Sequence, residues 1–86
     1  MTAWRREGDH LTRCLEFASF MQAIEFVNHV ARTAEEIDHH PDILISWRRV
    51  TLNLSSHDVG GITNRDFTLA GKIDGLIIQN GGRVIS

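Results

Sequence analysis

Hydrophobic and polar residues alternate in two stretches of the chain and recur at every third or fourth position in two others. Leu11, Arg13, Leu15 and Phe17 alternate with Thr12, Cys14 and Glu16, the two-residue period of a strand with one buried face. The polar run Glu7-Gly8-Asp9-His10 supplies turn residues between it and a short first strand around Trp4, giving a hairpin over 4–17. Val50, Leu52 and Leu54 alternate in the same way with Thr51, Asn53 and Ser55. Upstream, Ile43, Ile45 and Trp47 occupy odd positions. A two-residue turn at Arg48-Arg49 would bring Trp47 opposite Val50 on one face of a second hairpin, 43–55. Arg-Arg is poor turn chemistry, so a longer or bulged connection stays open.

Between the hairpins, Phe20, Ile24, Val27, Ala31, Ala34 and Ile37 follow helical spacing and draw one apolar stripe. Ser19 with Gln22 forms a capping-box pattern at its start. Pro41 stops it, because the residue before proline is pushed out of the helical region. The spacing predicts a helix over 19–40, with His39 and His40 at its carboxyl end, where the helix dipole favours a protonated imidazole. A last helix is expected from 63 to about 78, with Thr63 and Asp66 in its first turn and Gly81-Gly82 at its end. The order strand, strand, helix, strand, strand, helix predicts an α+β fold. It is a two-layer sandwich in which a four-stranded antiparallel sheet of two hairpins carries both helices on one face. No linker or repeat interrupts residues 1–86, which read as a single domain.

Composition narrows the function classes. A formal net charge of -2 argues against a nucleic-acid or membrane-surface binder driven by charge. The single cysteine, Cys14, excludes an internal disulfide and suits a reducing compartment. The first residues lack the apolar core of a signal peptide. No apolar run reaches the ~18 residues of a membrane span, so a cytoplasmic protein is expected.

The candidate chemistry lies between Glu35 and Asp66. His39-His40-Pro41 follows Glu35 after three residues, and Trp47, His57 and Asp66 follow in turn. Histidine is the side chain that exchanges a proton near neutrality. Glu35 with His39, and Glu36 with His40, are four apart, the spacing at which helical side chains touch. A carboxylate beside an imidazole raises its pKa and fixes its tautomer. The second hairpin returns toward Pro41, so the Ser55-Ser56-His57-Asp58-Val59-Gly60-Gly61 loop should meet His39 and His40 around one cleft. Three imidazoles could also hold zinc. However, adjacent His39 and His40 do not easily present both rings to one ion, and no His-Glu-x-x-His or Cys-x-x-Cys spacing occurs, so acid–base work is favoured. His10 and His29 read as surface residues. Trp47 could be core or ligand platform, and Asp66 could be a helix cap or a site residue.

The spaced set resembles the signature of the pterin-4a-carbinolamine dehydratases: an acidic residue, three residues, His-His-Pro, then an aromatic, a histidine and an aspartate. The matching residues are Glu35, His39, His40, Pro41, Trp47, His57 and Asp66. Ala34-Glu35-Glu36-Ile37-Asp38, Val50-Thr51-Leu52-Asn53-Leu54-Ser55-Ser56 and Gly61-Ile62-Thr63-Asn64-Arg65-Asp66 are similar in context. The resemblance runs from Trp4 to about Ile78. It departs where relatives carry an extra N-terminal helix, an aromatic shortly after the proline (here Ile43 and Leu44) and a cysteine two residues after the third histidine (here Val59). Those differences bear on pocket shape and substrate fit.

The resemblance implies dehydration of a 4a-hydroxytetrahydropterin to the quinonoid dihydropterin without metal or organic cofactor. His39 and His57 would be the acid–base pair, and His40 a positioning group or second acid. Glu35 and Asp38 would orient imidazoles or ring nitrogens. Ser56, Asp58 and Val59 would line the pterin, and Pro41, Trp47 and Asp66 would complete its site. The expected partners are the pterin and further copies of the chain, as a homodimer or homotetramer, because a sheet with a bare edge can pair with its copy. No direct nucleic-acid or membrane partner is expected. The alternative is a non-catalytic interaction protein on the same fold, since relatives serve as a transcriptional coactivator and as an assembly factor for a carbon-fixing enzyme.

Overall fold

A computed structural model of the chain describes residues 4–86; residues 1–3 lie outside the described part. Strands β1 (Arg5–Glu7) and β2 (His10–Glu16) form the first hairpin, with Glu7 opposite His10. Helix α1 (Phe20–Ile37) leads to β3 (Asp42–Ser46) and β4 (Arg49–Leu54), and helix α2 (Asn64–Gln79) to a two-residue strand β5 (Arg83–Val84). All strand pairs are antiparallel, in the order β1-β2-β4-β3, and β5 also pairs with β2. Among the described residues the sheet therefore has five strands, one more than the pattern predicts. β5 is too short to show an alternation of its own.

Register explains the single core. Leu11 faces Leu54, Arg13 faces Leu52 and Leu15 faces Val50, while Ile43 and Ile45 extend the same row from β3. Leu15, Val50, Leu52 and Leu54 are fully buried, as are Phe26 and Val30 of α1 and Leu69 and Ile73 of α2, so both helices cover this face. The opposite row holds Thr12, Cys14, Thr51 and Asn53. In α1 the buried positions are Ala23, Phe26, Val30 and Ala34. The stripe is rotated from the expected one, leaving Phe20 exposed and Val27 and Ile37 at the core's margin. Phe17 and Phe26 pack with ring centroids 4.8 Å apart, and that contact sets which side of α1 faces inward.

The β3–β4 turn also differs from expectation. Ser46 pairs with Arg49, so the turn residues are Trp47 and Arg48, and Trp47 adopts a left-handed φ of 57°. Trp47 is therefore out of the strand and does not sit opposite Val50, whose partner is Ile45.

The C-terminal turn depends on glycine. Gly81 has φ 71°, and a Cβ on Gly82 would lie 2.8 Å from the Phe17 ring. Only a residue without a side chain lets the backbone pass so close to a core aromatic and reach β2.

Candidate active site

The end of α1 decides which histidine meets which acid. Asp38 stops the helix in the left-handed region at φ 52°, ψ 45°, and the His39 amide returns to the Ala34 carbonyl at 3.0 Å. This is the hydrogen-bond pattern of a Schellman closure, in which aspartate tolerates the left-handed conformation better than most residues. The helix thus ends at Ile37, two residues before the first histidine, and helical spacing no longer applies to His39 or His40. The expected contact of Glu35 with His39 is replaced by one with His40, whose Nε2 lies 2.5 Å from Glu35 Oε2 in an exposed pair. No contact joins Glu36 to His40 in the described structure; Asp38 itself is exposed.

His39 is buried and reaches α2. Its Nε2 lies 2.6 Å from Oδ1 of Asp66, which is fully buried. The other oxygen, Oδ2, accepts from the Thr63 backbone N–H at 2.8 Å and from the Ser56 hydroxyl at 2.9 Å. Asp66 is the third residue of a capping box on Thr63. The two readings of Asp66 are therefore both present in one carboxylate: one oxygen caps α2 and the other holds His39. Burial raises the Asp66 pKa, but the hydrogen bonds from His39, Thr63 and Ser56 outweigh it and leave the group below its ordinary value. An ionised carboxylate only accepts. Hence His39 Nε2 carries the hydrogen and Nδ1 is the nitrogen left to exchange a proton. The Ser56 hydroxyl donates to Asp66, so in its 2.7 Å contact with Thr63 Oγ1 the threonine is the donor.

Ser56 fixes the neighbouring turn as well. It bridges Gly61 across residues 57–60, with Ser56 N–H donating to the Gly61 carbonyl at 2.7 Å. His57, Asp58 and Val59 project from this turn and are exposed. Asp58 is bound 2.6 Å from Arg65 Nη2 of α2, and that hydrogen bond, against some loss of solvation, lowers the aspartate pKa. Thus Ser56, Thr63 and Asp66 tie the His57 turn to His39. Pro41 and Asp42 follow directly, Asp42 opposite Asn53.

Trp47 stands apart from this group. Four residue steps of β3 separate Ser46 from Asp42, about 13 Å of strand, and Trp47 lies beyond Ser46 in an exposed turn. Within one chain it does not join the histidines. His10 and His29 are likewise remote in role: His10 contacts Asp9 beside the first turn, and His29 lies on the exposed side of α1. Arg65 and Thr63 were not singled out from the sequence as site residues. The Thr63–Asp66 cap spacing pointed toward Thr63, whereas nothing in the seven-residue separation of Asp58 and Arg65 signals their pairing. Among the described residues no three His, Cys, Asp or Glu side chains are grouped so as to hold a metal ion, and no helix is long and apolar enough to cross a membrane.

The chain is similar to known proteins in both sequence and fold. The sequence profile of the family described as pterin 4 alpha carbinolamine dehydratase matches residues 1–76. A protein of Roseiflexus castenholzii named as a candidate pterin-4-alpha-carbinolamine dehydratase is 51% identical over 77 residues, covering 90% of this chain and 83% of that protein. A relative from Mycobacteroides abscessus with the same name is 50% identical over 74 residues, covering 86% and 79%. Among solved structures, a transcriptional coactivator/pterin dehydratase from Brucella melitensis superposes with a TM-score of 0.84 at 29% identity, over 88% of this chain and 83% of that one. A pterin dehydratase-like RuBisCO assembly factor of the alpha-carboxysome shares the fold, with a TM-score of 0.73 at 23% identity over 87% and 89% of the two chains. The chain belongs to the pterin-4a-carbinolamine dehydratase family.

Proposed function

We propose that the protein is a hydro-lyase that converts a 4a-hydroxytetrahydropterin to the quinonoid dihydropterin and water. The observation that carries the reading is the buried His39–Asp66 pair, which fixes one imidazole tautomer beside the exposed His57 turn. In the reaction the C4a–O bond breaks, the hydroxyl takes a proton and leaves as water, and a ring N–H gives up its proton as the C=N bond forms. One histidine donates and another accepts. His39 and His57 are assigned as this pair, each worth ~10²–10⁴-fold in rate when positioned. His40, held by Glu35, is a positioning group or second acid. Pro41 and Asp38 border the pterin, and Ser56, Asp58 and Val59 line it. No metal or organic cofactor takes part. The non-catalytic alternative leaves the exposed His40 and His57 without a task.

The decisive assay is dehydration of a synthetic carbinolamine by the purified protein, with no metal added. Acceleration unaffected by EDTA supports the reading. A rate no greater than that in buffer, or activity abolished by EDTA and restored by zinc, overturns it. The protein works in the reducing cytoplasm, where Cys14 stays a thiol. The protein also self-associates through β3, which ends the sheet and leaves Leu44 63% exposed; pairing with a second β3 would hide its backbone groups.

A further inference from the structure

The end of the sheet remote from the histidines carries a second cluster that dehydration leaves unused. Glu16 of β2 receives Arg83 of β5, with Arg49 Nε 3.4 Å away and Arg48 Nη2 3.6 Å away. Three guanidiniums thus surround one carboxylate, a local balance of +3 and -1, or +2, on a chain whose formal charge is -2. The Arg83 hydrogen bond, opposed by some loss of solvation and joined by Arg48 and Arg49, holds Glu16 below its ordinary pKa, so its negative charge is present near neutrality. Each guanidinium has five N–H donors, and one carboxylate cannot use them all.

Beside these charges stands Trp47, 73% exposed, with the Arg48 guanidinium 5.4 Å from its ring. Its φ of 57° lies in the region that favours glycine. A bulky residue held there is an outlier that folding alone does not require. Glu16, Ser46, Trp47, Arg48 and Arg49 line a hollow of about 260 Å³.

We propose that this end of the sheet binds a mononucleotide-like anion, a flat heterocycle carrying one phosphate. The ring stacks on the Trp47 indole, and the phosphate takes the guanidinium forks of Arg48, Arg49 and Arg83. Guanidinium geometry matches phosphate oxygens two at a time, and an indole is a platform on which any heterocycle can stack. Glu16 keeps the three side chains together and is outnumbered three to one. The small hollow favours a single nucleotide over a strand. So does the negative charge of the rest of the molecule, since a polyanion needs a continuous basic track. Arg83 lies beyond residues 1–76, the part matched by the family profile. Glu16, Trp47, Arg48 and Arg49 lie within it, but none is a histidine assigned to dehydration, so the proposed binding does not require that assignment.

The test uses the two indole N–H signals, from Trp4 and Trp47, in a ¹H–¹⁵N spectrum of the full chain titrated with GMP; loss of one signal in Trp47→Gly assigns it. Saturable movement of the Trp47 signal with the buried Trp4 signal unmoved is expected. Guanosine alone and inorganic phosphate alone should each bind at least roughly tenfold more weakly, the worth of one charge-assisted contact. Arg48→Ala with Arg49→Ala should weaken GMP by a similar factor or more. Trp47→Gly should abolish saturable binding with a Tm no lower than that of the natural sequence, because glycine suits the backbone there. No saturable shift, or guanosine binding as tightly as GMP, overturns the proposal. A single-stranded oligonucleotide binding far more tightly than GMP would mean a strand site instead. Movement of the Trp47 signal by a non-phosphorylated pterin would make it part of the pterin site and would equally refute the proposal.

Discussion

Replacing Asp66 by Asn separates the two tasks of this carboxylate. The change keeps size and one acceptor oxygen. That oxygen can still serve the Thr63 amide and the Ser56 hydroxyl, as Oδ2 does now at 2.8 and 2.9 Å. The side-chain NH₂ then faces His39 Nε2, where a donor meets a donor. Either the bond is lost or the imidazole changes tautomer and moves its hydrogen to Nδ1. Losing one hydrogen bond to a buried charged group costs about 1.5–3 kcal/mol. With a urea slope of ~1–1.5 kcal/mol/M for so small a protein, the midpoint should drop by ~1–3 M. The rate of carbinolamine dehydration should drop by ~10²–10⁴-fold, the contribution of one positioned acid or base.

The pH dependence gives an independent check. Asp66 has a folded pKa below its ordinary value of 3.8. Its stabilisation is therefore complete above pH 3.8 and is lost as pH falls through the lower folded value. The stability gap between the natural protein and the Asn variant should be constant near neutrality and narrow only below about pH 4. Denaturant curves followed by circular dichroism across that range, beside the dehydration assay, decide it. An Asn variant that loses stability but keeps its full rate would show that the His39–Asp66 bond serves the fold and not the reaction. One that keeps both would refute the network.

Three other outcomes follow from the same geometry. His39→Ala and His57→Ala should lower the dehydration rate by ~10²-fold or more, whereas His10→Ala and His29→Ala should leave it within about twofold, with folding checked by circular dichroism; equal losses at all four positions would remove the assignment. Gly82→Ala should destabilise by ~1–3 kcal/mol, because its Cβ would press on the buried Phe17 ring, read as a fall in the urea midpoint. Light scattering at micromolar concentration should give a multiple of 9.7 kDa, and Leu44→Lys on the free edge of β3 should shift the mass toward the single chain; a natural protein of 9.7 kDa would rule out self-association.

The two long strands were legible because their apolar residues lie on one face, so Leu11-Leu15 and Val50-Leu54 print their period in the sequence. The capping residues Ser19 and Thr63 were legible for a similar reason: a local hydrogen bond needs a local residue. Features that depend on distant partners were not. The rotation of α1 comes from Phe26 meeting Phe17, and β5 exists only because Gly82 lets the tail cross that ring. The turn register of the second hairpin was misread because Trp47 occupies a conformation its residue type disfavours. At the site, spacing located the histidines and acids but paired them wrongly. One left-handed residue, Asp38, ended helical geometry before His39, and no periodicity argument extends past such a residue.

Asp66 has a consequence for tracing activity through the family. Because it closes α2 and fills a buried polar niche, a descendant that abandons dehydration still loses stability without it, and His39, buried against it, is under the same constraint. His40 and His57 are exposed and support no core contact, so once catalysis is released they are free to drift. On the proposed assignment, a sequence marker of a working dehydratase on this fold is therefore the exposed pair of histidines, and the buried pair without them marks only descent.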